Sequence, residues 1–138
     1  VVALYMPLLI DHVSGPAPRS WRPLSIAPCD HRLSRTGERT LELETVDGVM
    51  MSSVFEELYR SPKKPLSSGT VIDRGLFRAE VLEEAAQGPT RIAFHFDRDL
   101  GDPTLRFLIW LDGELRTAAL PPLGEKVTIE RSLGPAGF

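Results

Sequence analysis

Three features of this 138-residue sequence predict a mainly β fold, an antiparallel β-sandwich or partly open β-barrel with one short helix at about 53–60. Apolar and polar residues alternate at Leu41–Glu44, Phe77–Val81 and Ile92–Phe96, the two-residue period of a half-buried strand. Two Asp-Gly pairs, Asp47-Gly48 and Asp112-Gly113, suit tight type I′ hairpins, in which both central residues need positive φ. About seven short strands with turn signals between them are the pattern of an antiparallel sheet that folds over on itself.

Taken in chain order, the elements divide into three parts. Residues 1–10, Val1 to Ile10, are apolar throughout. As a helix they would span roughly 15 Å, about half of a ~30 Å bilayer core, and they read as the end of a transmembrane helix. A buried strand of a soluble domain is the alternative. Residues 11–39 form a Pro-rich extended arm, because Pro16, Pro18, Pro23 and Pro28 disfavour helix. Trp21, Leu24 and Ile26 are its apolar anchors.

Residues 40–138 form the β-rich domain. Leu41–Val46 is a strand, Asp47-Gly48 its hairpin turn and Val49-Met50-Met51 its return. Ser53 and Glu56 have capping-box spacing, and Phe55, Leu58 and Tyr59 share a helical face until Ser61-Pro62 ends the helix. The strands around Phe77–Val81 and Ile92–Phe96 meet at the turn Gln87-Gly88-Pro89. Leu105–Leu111 is apolar on both faces apart from Arg106, as a central strand covered on each side would be. Asp112-Gly113 turns it into Leu115–Leu120, and Val127 and Ile129 mark a last strand. A long-range pairing is needed to complete the sheet, with Leu41–Val46 against a C-terminal strand as the candidate.

Composition narrows the function classes. A formal net charge of -3 argues against a general nucleic-acid binder, which needs a basic surface to displace counterions. Residues 1–40 nevertheless carry an excess of Arg, and a basic stretch beside a membrane span favours the cytoplasmic side. With Cys29 as the single cysteine no intrachain disulfide exists, and without Asn there is no glycosylation sequon. The preponderance of Arg over Lys fits a GC-rich bacterial genome.

Asp97, Asp99 and Asp102 are the candidate metal ligands, since closely spaced carboxylates supply oxygen to a hard cation such as calcium. They lack the regular spacing and distant Glu of an EF-hand loop, and Asp and Gly also serve turns. Cys29 and His31, with His12 and His95, are imidazole and thiolate groups without zinc spacing. His95 falls opposite Phe94 and Phe96, where a surface histidine is the ordinary reading. Trp110 reads as packing, and Arg60, Lys63 and Lys64 as a solvated loop or as contacts to anionic lipid. No nucleophile elbow, H-E-x-x-H, P-loop or dinucleotide fingerprint is present, so no catalytic residue and no cofactor is assigned.

The run Asp30 to Gly37, then Leu41-Glu42-Leu43-Glu44, Phe94-His95-Phe96-Asp97, Asp102-Pro103 and Pro121 to Val127 resembles the soluble C-terminal part of an uncharacterised family of bacterial multi-pass membrane proteins. The resemblance spans nearly the whole chain. It implies a compact β-rich part following a hydrophobic multi-helix region, and it carries no activity to any residue. The expectation is a non-enzymatic domain with an interaction or regulatory role, membrane-tethered, whose partner is the membrane-embedded part of the same polypeptide. A small soluble ligand- or metal-binding β-barrel is the alternative, with a concave pocket near His95 or Asp97–Asp102.

Overall fold

The computed structural model describes residues 20, 22–51 and 66–132. Eight strands and no helix occur among them. They are β1 (His31–Arg35), β2 (Thr40–Thr45), β3 (Val71–Asp73), β4 (Phe77–Ala85), β5 (Gly88–Phe96), β6 (Leu108–Leu111), β7 (Glu114–Thr117) and β8 (Lys126–Ile129). Six make one antiparallel sheet in the order β3-β4-β5-β2-β1-β8, and β6 pairs with β7 in a separate ribbon. The main sheet is open, with β3 and β8 at its ends. The mainly β, antiparallel expectation holds, and the arrangement is sandwich-like: the sheet is not closed into a barrel, since its end strands β3 and β8 do not pair.

Alternation produces two unlike faces. Register sets Leu33 opposite Leu43, Leu41 opposite Phe94, Leu43 opposite Ile92, and Phe77 opposite Phe96. These side chains line one face and are buried, with Leu41 fully so at 0% exposure. Phe77 meets Phe94 edge-on, ring centroids 5.4 Å apart, and Phe96 meets Phe107 of the following loop at 5.5 Å. Ala27, Cys29, Met50 and Leu100 close this apolar face from the loops. The opposite face carries Arg32, Glu42, Glu44, Glu80, Arg91 and His95.

Four local readings are corrected. The segment assigned to the extended arm contains β1, whose Leu33 is a core residue between β2 and β8. Asp47-Gly48 does not turn into a return strand, because both edges of β2 are occupied by β1 and β5. The chain instead folds down as a loop: the Thr45 hydroxyl donates to the Gly48 carbonyl at 2.8 Å, and the Met50 N–H donates to the Pro89 carbonyl at 2.7 Å. Leu105–Leu111 is not a central strand. Both neighbours of β5 are already β2 and β4; among the described residues β6 pairs only with β7, and its residues are half-buried. The C-terminal strand completes the sheet on β1, not on β2.

The Asp112-Gly113 hairpin forms as expected, with φ of 51° and 79°. The expected helix at 53–60 and the apolar segment 1–10 lie outside the described residues. Among the described residues no helix is long and apolar enough to cross a membrane.

Candidate functional site

The acidic loop follows β5 directly, and each of its three candidate ligands is occupied by a neighbour. Arg98 lies flat against Asp97, donating from Nε to Oδ1 and from Nη2 to Oδ2, both at 2.8 Å. These hydrogen bonds hold the Asp97 carboxyl below its ordinary range and push the Arg98 guanidinium up. Asp99 Oδ1 accepts the Gly101 N–H at 2.7 Å. Asp102 Oδ1 accepts both the hydroxyl and the N–H of Thr104, and the hydroxyl bond is the main reason its carboxyl is also lowered. Asp99 and Asp102 are thus in turn-capping arrangements, in which the side chain satisfies a backbone donor two residues on. Among the described residues no three His, Cys, Asp or Glu side chains gather as a metal cluster.

Cys29 and His31 are separated in role. Cys29 is buried at 6% exposure in the core, against the backbone of Gly48. His31 is buried on the apolar face, with Nε2 2.9 Å from the Ser25 hydroxyl, which in turn accepts the Ala27 N–H. The arm is thereby fastened to β1. His12, Arg60, Lys63 and Lys64 lie outside the described residues. Trp110 is half-buried in β6, opposite Leu115.

His95 is where the sequence placed it, on the face opposite Phe94 and Phe96. It is not a bare surface group. Its Nε2 lies 3.0 Å from Glu80 Oε2, and its Nδ1 lies 3.4 Å from the Thr40 hydroxyl, so it bridges β4 and β2. The same face carries cross-strand ion pairs. Arg32 meets Glu44 at 2.9 Å, and Arg91 reaches Glu83 at 2.6 Å and Glu42 at 3.8 Å. A register shift between Val81 and Glu83 makes the second contact possible: without the extra residue Glu83 would fall on the apolar side. The polar halves of the alternating strands are visible in the sequence. Their pairing depends on the register of four strands, which is not.

A shallow cavity of about 230 Å³ opens between Asp73, Gly75 and Arg78 on one side and His95, Phe96 and Asp97 on the other. Pockets that enclose small ligands run to about 300–1,000 Å³ and are mostly apolar, so this one is small and unusually polar for that use. No family model, no curated protein and no solved structure matches the chain.

Proposed function

We propose that this chain is a non-enzymatic interaction domain of a bacterial membrane protein, acting on or alongside the membrane-embedded part of the same polypeptide. The observation that carries the reading is how its polar groups are used. Asp97, Asp99, Asp102, His31 and His95 are each engaged by a neighbouring side chain or by the backbone. Catalysis needs such groups convergent on a space a substrate can enter; here they fasten loops and strands, and of the five His95 and Asp97 alone border the shallow cavity. The apolar run at residues 1–10 and the Arg-rich stretch that follows support attachment at a membrane surface. The cavity beside His95 supports the alternative of a small-ligand site, and its size makes that the second choice.

Flotation with vesicles tests this. The full chain should rise with vesicles through a density gradient, and a variant with Leu4, Leu8 and Leu9 changed to Ser should stay at the bottom with an unchanged far-UV spectrum. A full chain that remains in the aqueous fraction as a single monodisperse species would overturn the membrane assignment.

A further inference from the structure

We propose that β8 is a self-pairing strand through which two copies of this chain join their sheets edge to edge. β8 is an end strand of the main sheet, paired on one side with β1. The direction of its backbone groups follows from its neighbours. Arg35 donates to the Glu125 carbonyl at 3.1 Å, and the Arg131 N–H is taken by Asp30 Oδ1 at 2.8 Å. Odd-numbered residues therefore direct their backbone groups towards β1. By alternation, the N–H and C=O of Lys126, Thr128 and Glu130 point outward from the sheet edge.

The sequence around that edge reads Glu125-Lys126-Val127-Thr128-Ile129-Glu130-Arg131. An antiparallel pairing of two copies about a two-fold axis at Thr128 sets Lys126 against Glu130 of the second copy, Glu125 against Arg131 and Val127 against Ile129. Every charge then meets its opposite, and the two apolar residues meet each other. The axis also places the outward groups of Thr128 against those of its own copy, the arrangement of a hydrogen-bonded antiparallel pair. Shifting the axis by one residue destroys the match. Centred on Val127 it opposes Glu125 to Ile129, and centred on Ile129 it opposes Val127 to Arg131. The other end strand has no such symmetry, because β3 centred on Ile72 opposes Val71 to Asp73.

The side chains are placed for this use. Val127 is 42% exposed on the apolar face although it sits beside the core residue Leu33. Among the described residues Glu125, Lys126, Glu130 and Arg131 make no ion pair within the chain. A lysine on an edge strand ordinarily repels other strands; here it also selects the one register that offers it a carboxylate. A seven-residue strand contact is small for a protein interface, so the dimer exchanges with monomer and gains from any tether that concentrates the chains in one plane.

Sedimentation equilibrium of the full chain in a density-matched detergent, over a range of concentrations, tests the proposal. A reversible monomer–dimer equilibrium is expected. Lys126→Glu alone and Glu130→Lys alone each convert two attractive pairs per dimer into repulsive ones and should weaken it about tenfold. The double variant should restore it. Thr128→Pro removes an outward N–H, which an edge strand tolerates, and should leave a folded monomer. A chain that is monomeric throughout, single variants that dimerise like the parent, a double variant that fails to recover, or a dimer indifferent to Thr128→Pro would overturn the proposal. If the proline variant does not fold, the charge exchange decides alone.

Discussion

Replacing Phe94 with alanine is expected to lower the unfolding free energy by about 3–5 kcal/mol, a large fraction of the ~5–15 kcal/mol by which a domain of this kind is stable. Phe94 is buried in β5, opposite Leu41 on one side and Ala79 on the other. Its ring meets Phe77 edge-on at 5.4 Å, so truncation removes both apolar burial and an aromatic contact at the middle of the sheet. The surrounding strands are held by their own hydrogen bonds and cannot close the void. Urea unfolding followed by circular dichroism should show the midpoint falling steeply. Val127→Ala, on the exposed edge, should move it by no more than about 0.5 kcal/mol. A core residue whose loss matched that edge variant would mean the apolar face is not packed as described.

Gly88→Ala is expected to cost about 1–3 kcal/mol through overpacking, although it adds a single methyl group. A Cβ at this position would stand 2.5 Å from the Met50 carbonyl oxygen, a backbone atom that cannot swing aside. The same stretch is anchored by the Met50 N–H on the Pro89 carbonyl at 2.7 Å, and Met50 is only 1% exposed. To admit the methyl group, the loop 46–51 must lift from β5, which loosens Met50 in the core. Thermal melting should show the loss. Gly37→Ala, whose Cβ would come no closer than 3.4 Å to a side chain, should change stability by less than about 1 kcal/mol. Equal stability of the Gly88 variant and the parent would show that this loop does not lie against β5.

The amphipathic strands were legible because their sequence carries its own evidence of burial. β2 alternates strictly, β4 does so from Phe77 to Val81 and β5 from Ile92 to Phe96 apart from the buried Ala93, and Asp112-Gly113 encodes its hairpin in two residues. The errors arose where a local signal met a neighbour that the sequence does not reveal. Asp47-Gly48 has the same turn chemistry as Asp112-Gly113, yet the strand before it already has partners on both sides. β1 reads as arm because it follows Pro28 and contains two arginines; only its pairing with β2 and β8 makes it a strand. The apolar run ending in β6 fits a central strand or a covering ribbon equally well by composition, and the sheet order decides between them.

The candidate site divides in the same way. Asp97, Asp99 and Asp102 were visible as carboxylates in a loop, but their capture by Arg98, Gly101 and Thr104 is a matter of local geometry. The position of His95 followed from alternation, and its bridge from Glu80 to Thr40 required the register of three strands. The self-complementarity of residues 125–131 was present in the sequence throughout. It acquires meaning once β8 is known to end the sheet.

Amide hydrogen exchange resolved by residue tests the central claim most directly, namely a sheet centred on β2 and β5 with end strands left available to a partner. The slowest amides should be those of Leu41, Leu43, Ile92 and Phe94, exchanging only through global unfolding. The outward amides of Lys126 and Thr128 should exchange fast in dilute protein and slow as concentration rises. Protection of β2 no greater than that of β8, or fast exchange across β5, would contradict the strand order on which the account rests.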